Sequence, residues 1–278
     1  MKQKGPSTKR IIILLLATVV LIFVMFKIIT ASLDAVLNNF FQLGNNTMWV
    51  SEKFYNQDGF KAYDDDSVDT FIGIDVSCDQ KEIDWKNVKD SGIDYAMIRV
   101  GYRGAQEGIL HEDKYLKENL KGAKKNNISI GVYFFSSAIN KEEIEEEVDF
   151  ILDLIQGYKL KYPIVFDMEP FDQGGRIDDL SQEEKTELTK YFCELIEEAG
   201  YTPMIYGNKH WLTKEIDLDK LPAGIPLWYA AYQDKPDVSI PFDMWQYSAY
   251  GTIDGISTDV DMNIYLKRIT GKENEMGE

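Results

Sequence analysis

Histidine and cysteine are nearly missing from this sequence, which has two of each among its 278 residues. His111 and His210 stand in unrelated contexts, so neither a zinc site nor a histidine-based catalytic triad is expected. Cys78 and Cys193 are too few to form a disulfide framework. We therefore predict a protein that uses no metal and no cofactor.

Basic residues are also few relative to acidic ones. Lysine and arginine number 30 against 47 aspartates and glutamates, which gives a formal net charge of −17. Nucleic-acid binding needs a basic surface to meet the phosphates, so a nucleic-acid partner is excluded. Hydrophobic residues make up 44% of the chain, which is enough for the core of one large barrel-type domain with an appendage.

A long hydrophobic run occurs only near the amino terminus, where residues 11–26 carry no charge before Lys27 interrupts them. Four basic residues precede the run, and such a flank stays in the cytoplasm. We predict a cytoplasmic tail at 1–10 and a transmembrane anchor at 11–30, with the remainder outside the cell. The predicted location is the cell membrane with a single pass. Secretion after cleavage of a signal peptide is the alternative.

The exported part divides into a connector at 31–69, a catalytic barrel at 70–268 and a polar tail at 269–278. Within the barrel region, strand-like and helix-like segments alternate until the last third, where helices shrink or vanish. Strands that alternate with helices indicate a parallel sheet, and eight of them suggest closure. The predicted fold is therefore an α/β, irregular (β/α) TIM-like barrel with few helices in its last third.

The segment between Pro163 and Pro170 ends a short apolar strand with two carboxylates. Side chains alternate along a strand, so Asp167 and Glu169 should point the same way, with Cα atoms roughly 6.5 Å apart. Two crowded carboxyls cannot both ionise easily, so one pKa should rise and supply a general acid near neutral pH. A solvated pair at a strand end is the alternative for an isolated Asp-x-Glu.

Further acids and aromatic residues stand at other predicted strand ends. Asp75 ends the first strand and Asp261 begins or lies within the eighth, and these two strands are neighbours once the barrel closes. Four carboxylates should then converge on one mouth, and buried charge without a purpose is costly. The aromatic residues, which suit sugar stacking but are alternatively core filler, are Tyr133, Tyr206, Trp228, Tyr232, Trp245 and Tyr247.

Seven short motifs follow one another in the barrel region: GIDVS at 73–77, AMIRVG at 96–101, GVYFF at 131–135, DME at 167–169, LWYA at 227–230, WQYS at 245–248 and VDMN at 260–263. Together they resemble the glycoside hydrolase family 25 lysozymes, the N-acetylmuramidases that cleave bacterial peptidoglycan. The resemblance spans roughly residues 71–268 and leaves residues 1–70 outside it.

The resemblance implies hydrolysis of the β-1,4 bond between N-acetylmuramic acid and N-acetylglucosamine, with peptidoglycan glycan strands as the partner. By motif position, Glu169 would be the general acid, and Asp167 would orient the substrate or stabilise positive charge. Asp75 and Asp261 would complete the acidic floor. The residues that would bind the sugars are Tyr133, Tyr206, Trp228, Trp245 and Tyr247.

Two other functions use the same barrel. A scaffold protein could bind peptidoglycan without cleaving it, although the intact acids count against that. A hydrolase could instead use the carboxylate cluster to hold a divalent metal ion. The scarcity of histidine and the aromatic residues disfavour the metal-dependent hydrolase.

Overall fold

The computed structural model describes residues 49–171 and 173–269. The predicted cytoplasmic tail, the predicted anchor, the first part of the connector and nearly all of the polar tail lie outside these residues. Within the described ranges, no helix has the length and apolar character needed to cross a membrane.

The described chain contains eleven strands and four α-helices. The strands are β1 (Phe54–Gln57), β2 (Phe60–Tyr63), β3 (Val68–Val76), β4 (Tyr95–Arg103), β5 (Leu110–Glu112), β6 (Ser129–Phe135), β7 (Ile164–Asp167), β8 (Pro203–Asn208), β9 (Leu227–Ala230), β10 (Met244–Gly251) and β11 (Val260–Arg268). The helices are α1 (Trp85–Asp90), α2 (Leu116–Lys125), α3 (Lys141–Leu154) and α4 (Gln182–Glu198).

Eight of the strands form a closed barrel in the order β3-β11-β10-β9-β8-β7-β6-β4, and β4 pairs with β3 to complete the circle. The short β5 pairs antiparallel with the last three residues of β4, Gly101 to Arg103. The predicted closed barrel of eight strands is confirmed.

Helices lie between the strands in the first two thirds of the barrel, as predicted. The last of them, α4, begins at a capping box: the Ser181 hydroxyl accepts from the Glu184 backbone N–H, and the Glu184 carboxylate accepts from the Ser181 backbone N–H. After α4 the described chain has only short helical turns, at Trp211–Glu215 and Leu218–Lys220. The scarcity of helices in the last third is confirmed.

The sheet is not wholly parallel, which corrects one expectation. Strand β11 runs antiparallel to both β10 and β3. The chain between β10 and β11 spans residues 252–259 without a helix, and antiparallel strands are the ones that so short a connection can join. Strand β11 therefore starts at the rim where the parallel strands end, and Asp261 lies opposite Asp75 in the register.

Side chains inside the barrel form a cluster separate from those between the sheet and the helices. Because successive residues on a strand point to opposite faces, Met244 lies in the inner cluster and Trp245 in the outer one. Tyr95, Met97 and Val165 fill the interior with no exposed surface. A filled interior leaves the rim, and not the barrel axis, as the place where a substrate binds.

A hairpin of β1 and β2 packs on the outside of the barrel, although its residues belong to the predicted connector. Trp49, Phe54 and Tyr63 are buried in the outer core. The Trp49 indole N–H donates to the Phe242 carbonyl over 2.6 Å, and the Lys61 ammonium donates to the Asp234 carbonyl over 2.6 Å. The hairpin and Trp49, which precedes it, therefore hold the segment between β9 and β10.

Replacing Phe54 should show that the hairpin contributes to the stability of the barrel. Phe54 is 2% exposed and contacts the rings of Tyr63 and Trp245, so Phe54→Ala should lower the free energy of unfolding by about 3–5 kcal/mol. The neighbouring Tyr55 is 44% exposed, and Tyr55→Ala should change the free energy of unfolding by less than about 0.5 kcal/mol. Denaturant unfolding of both variants measures the difference, and equal small effects would show that the hairpin is not part of the core.

Candidate active site

A cavity of about 290 Å³ opens at the rim where the parallel barrel strands end and β11 begins. Side chains from all eight barrel strands and from the adjoining loops converge there. The lining residues are Asp75, Ser77, Asp79, Gln80, Arg99, Tyr133, Phe135, Asp167, Glu169, Tyr206, Trp228, Tyr232, Gln246 and Asp261. The structure therefore brings together all four carboxylates that the sequence singled out.

Asp75 and Asp261 form the first carboxyl pair, at the seam between β3 and β11. Asp75 is 5% exposed, and the two side chains are hydrogen-bonded to each other. Burial raises the pKa of Asp75, while hydrogen bonds from Asn263 and Gln246 oppose the rise. Burial and the charge of Asp75 raise the pKa of Asp261 to about 8, so the pair holds a proton at neutral pH.

Asp167 and Glu169 form the second pair, at the end of β7. Asp167 is buried and Glu169 is partly exposed. Burial and the neighbouring charge of Glu169 raise the pKa of Asp167 well above its usual range. Burial also raises the pKa of Glu169, and the hydrogen bond with Asp167 acts in the opposite direction. The two carboxyls therefore titrate as a pair that shares one proton, and the deeper burial of Asp167 favours its neutral form.

Three of the predicted sugar-binding residues lie at the cavity. The Trp228 ring packs edge-on against Tyr133 and Tyr206, with ring centroids 6.0 and 4.9 Å apart. Tyr232, from the segment after β9, is 57% exposed and offers the largest open aromatic surface of the described lining residues. These rings line the same cavity as the carboxyl pairs, and a cavity lined by both suits a flat and polar ligand such as a sugar.

Trp245 and Tyr247 do not reach the cavity, so the expectation that they line it is not met. Both belong to the outer cluster, and the buried Trp245 indole donates to the Ala231 carbonyl over 2.8 Å. The physical reason is the alternation of side chains along β10, which directs Gln246 inward and its two neighbours outward. Trp245 instead packs against the hairpin, where its ring meets Phe54 edge-on at 5.3 Å.

Gln246 and Asn263 are residues of the site that sequence reasoning missed. Each donates a side-chain N–H to Oδ2 of Asp75, over 2.9 and 2.8 Å. Strand alternation was the available signal: Gln246 shares the inward face of β10 with Met244, and Asn263 is two residues from Asp261 on β11.

Arg99 was also missed, and it is the only cationic residue among the described cavity-lining residues. Its Nε donates to Oδ2 of Asp113 over 2.8 Å, and the same oxygen accepts from the Cys78 backbone N–H over 2.9 Å. The charge of Arg99 partly opposes the rise in the pKa of Asp167. An arginine in the middle of strand β4, directly after an apolar run, was its signal in the sequence.

The arrangement supplies proton donors and acceptors at one cavity. Two carboxyl pairs with raised pKa values give an acid that is protonated near neutral pH beside a carboxylate that can carry charge. Glycosidases use these two groups to cleave a glycosidic bond. In the described ranges, no set of three or more histidine, cysteine, aspartate or glutamate side chains is arranged to hold a metal ion.

Comparison with known proteins gives a consistent result. The family model described as glycosyl hydrolases family 25 matches residues 74–256. The autolytic lysozyme of Clostridium acetobutylicum is 26% identical over 198 residues, which are 71% of this chain and 56% of that protein. Lysozyme M1 of Streptomyces globisporus is 28% identical over 200 residues, which are 69% of this chain and 66% of that protein.

Solved structures share the fold. The bacterial lysozyme from Streptomyces coelicolor superposes with a TM-score of 0.60 at 26% identity, over 70% of this chain and 91% of its own. The modular autolysin LytC from Streptococcus pneumoniae, solved in complex with a synthetic peptidoglycan ligand, superposes with a TM-score of 0.64 at 23% identity, over 76% of this chain and 52% of its own. This chain thus spans just over half the length of LytC and of the Clostridium lysozyme.

Replacing Asp261 should change how stability depends on pH. In the folded protein Asp261 stays neutral up to about pH 8, whereas in the unfolded chain an aspartate ionises near pH ~4. Its contribution to stability is therefore complete below about pH 4 and is lost as the pH rises towards 8. Asp261→Asn should reduce the fall in the free energy of unfolding between about pH 4 and 8.

The exposed Asp259→Asn, two residues away, is the control and should leave the pH dependence unchanged. Denaturant unfolding at several pH values gives the measurement. Identical curves for the Asp261→Asn variant and the unaltered protein would show that Asp261 is ordinarily ionised in the fold.

Proposed function

The chain belongs to glycosyl hydrolases family 25, and from that premise we propose that it is an N-acetylmuramidase. It would cleave the β-1,4 bond between N-acetylmuramic acid and N-acetylglucosamine in peptidoglycan. The observation that carries the proposal is the pair Asp167 and Glu169, which lie together at an aromatic-lined cavity and share a proton. The lysozymes among its relatives and the autolysin structure that holds a peptidoglycan ligand support the substrate class.

Glu169 is the proposed general acid, because it is the more exposed member of its pair and lines the cavity. Its task is to protonate the leaving oxygen of the glycosidic bond. Burial and the charge of Glu169 favour the neutral form of Asp167, so substrate binding has to shift the shared proton towards Glu169. A ligand N–H that donates to Asp167 would favour the ionised form of Asp167 and so drive the transfer.

The 2-acetamido group of the substrate can supply that N–H. Oδ1 of Asp167 is buried and has no hydrogen-bond partner among the described residues, which is unusual for a carboxyl oxygen. An acetamido N–H bound there would aim the carbonyl oxygen of the same group at the anomeric carbon. The substrate would then provide the nucleophile, and Asp167 would stabilise the positive charge that develops on the ring formed by attack.

Glu169→Gln should lower turnover of purified peptidoglycan by about 10²–10⁴-fold while the fold persists, because an amide cannot deliver the proton. Glu198→Gln, on the exposed end of α4, is the matched control and should keep full activity. Release of reducing ends measures turnover, and circular dichroism checks the fold.

Two outcomes of this experiment would favour other functions. A protein without turnover in its unaltered form, but with retained binding to cell walls, would be a scaffold. Activity that disappears with a chelator and returns with a divalent ion would indicate a metal-dependent hydrolase.

The acetamido mechanism predicts net retention of configuration at the anomeric carbon without a covalent enzyme intermediate. Attack by the acetamido oxygen inverts that carbon once, and attack by water inverts it again. NMR of the first product, recorded before mutarotation, reads the anomer directly. An inverted product would point instead to a water activated by Asp75, Asp167 or Asp261. Asp167→Asn should reduce kcat strongly with a smaller change in KM.

We also propose that the protein is held at the cell membrane by residues 11–30, with the barrel outside the cell. The support is the uncharged run at 11–26 and the basic residues before it. The full chain should sediment with membranes and resist extraction by high salt, whereas a variant without residues 1–30 should be soluble. A shorter mature form in the medium, lacking the run, would show that a signal peptide is cleaved.

A further inference from the structure

Asp75 is held by two buried amides that have no place in the proposed proton transfer. Its Oδ2 accepts from Nε2 of Gln246 over 2.9 Å and from Nδ2 of Asn263 over 2.8 Å. Gln246 is 2% exposed and Asn263 is fully buried. Two N–H donors on one carboxylate oxygen occupy both of its lone pairs, so no proton can reside on that oxygen.

Aromatic donors fix the orientation of both amides. Oδ1 of Asn263 accepts from the Trp228 indole over 2.8 Å. An indole N–H can only donate, so the Asn263 atom that faces it must be the oxygen, and the amide nitrogen must face Asp75. Oε1 of Gln246 accepts from the hydroxyls of Tyr206 and Tyr232, each over 2.9 Å. Neither amide can rotate away from Asp75 without leaving a buried polar group unpaired.

We propose that Gln246 and Asn263 are positioning residues that keep Asp75 as the ionised member of the Asp75–Asp261 pair and leave the shared proton on Asp261. The two carboxyls are hydrogen-bonded to each other, and such a contact requires one proton between them. Since the two N–H donors close Oδ2 to that proton and stabilise the charged form of Asp75, the amides bias the proton towards Asp261.

The consequence is a fixed negative charge at one place on the cavity floor. Asp75 would face a sugar ring that becomes positively charged during glycoside cleavage, and its charge would stabilise that ring. This role in turnover rests on the proposed function, whereas the location of the proton does not. The titratable groups that interact with Asp75 lie at the cavity, except for Tyr95 in the barrel interior. They are Asp261, Asp167, Glu169, Tyr95, Tyr133, Tyr206 and Tyr232.

The test is a pH titration of the carboxyl carbons of Asp75 and Asp261 by NMR, in the full chain with isotope-labelled aspartate. In the unaltered protein, Asp75 should be ionised and Asp261 neutral near pH 6. Gln246→Met and Asn263→Leu each remove one donor with little change in volume. Each should raise the lower titration midpoint of the pair by about one to two pH units and move the proton towards Asp75.

Asn119→Leu is the control, because Asn119 is a buried amide on α2 that is not among the cavity-lining residues. It should leave both titrations unchanged, which separates loss of the Asp75 contacts from loss of any buried amide. Tyr232→Phe provides a milder variant that removes one hydroxyl from Gln246 and spares the donors of Asp75. It should raise the same midpoint by a smaller amount, and the exposed position of Tyr232 keeps the fold intact.

Activity gives an independent reading. If peptidoglycan is cleaved, the acidic limb of the pH profile of kcat/KM should move to higher pH in Gln246→Met and Asn263→Leu. The move should equal the shift of the lower titration midpoint in the same variant. In an Asp75→Asn background, the second substitution should have no further effect on that limb.

The proposal is overturned if Asp75 carries the proton in the unaltered protein, or if the midpoint stays fixed in all three test variants. A chain that degrades no peptidoglycan but shows the expected titrations would refute the proposed function and leave the proton assignment standing.

Discussion

The hydrogen-bonded seam between β3 and β11 is the contact on which the rest of the structure depends. It closes the barrel, and its antiparallel direction turns the start of the last strand towards the rim where the other strands end. Asp75 and Asp261 are consequently opposite each other in one register. A parallel last strand would place its first residues at the other end of the barrel, and the second acid of this pair would be lost from the site.

Crowding four carboxyls around one small cavity opposes folding, and the surrounding structure has to offset that cost. Each pair reduces it by sharing a proton. The amides of Gln246 and Asn263 donate to Asp75, and the positive charge of Arg99 favours the ionised form of Asp167. The barrel interior and the outer core are packed with fully buried aromatic and aliphatic side chains, among them Tyr95, Phe134 and Phe192. Active sites of this kind retain a local strain that a stable scaffold can tolerate.

Much of the architecture could be predicted from the sequence, because the alternation of strands and helices is a strong local pattern. The capping box at Ser181, the eight barrel strands and the convergence of four acids all follow from short-range signals. The direction of β11 could not be predicted in this way, since pattern alone does not say how two strands pair. The hairpin before β3 was missed because its short segments resemble a connector, and its burial depends on contacts with the distant residues Asp234 and Phe242.

The site residues likewise divide into those that short-range sequence signals predict and those that they do not. Acids at strand ends are recognisable by their position, whereas the facing of Trp245 and Gln246 depends on the exact phase of one strand. A shift of the strand by one residue turns its inward-facing side chains outward. Predicting that Trp245 and Tyr247 face the cavity therefore implied that Gln246, which lies between them, faces away from it. Gln246 and Asn263 act on the site by donating to Asp75, and such positioning roles become visible only when the hydrogen bonds are known.

The seam has one more consequence, for engineering. Val68 begins β3 opposite Arg268 at the end of β11, the Ile269 backbone N–H donates to the Ser67 carbonyl over 2.9 Å, and the Arg268 guanidinium lies 4.9 Å from the centre of the Trp49 ring. The described chain therefore enters and leaves the barrel at neighbouring points, on the end away from the cavity. Such a domain is suited to circular permutation, with a short linker joining those points and new termini in an exposed loop. It also suits fusion to a carrier at either end, because the carrier would leave the cavity rim uncovered.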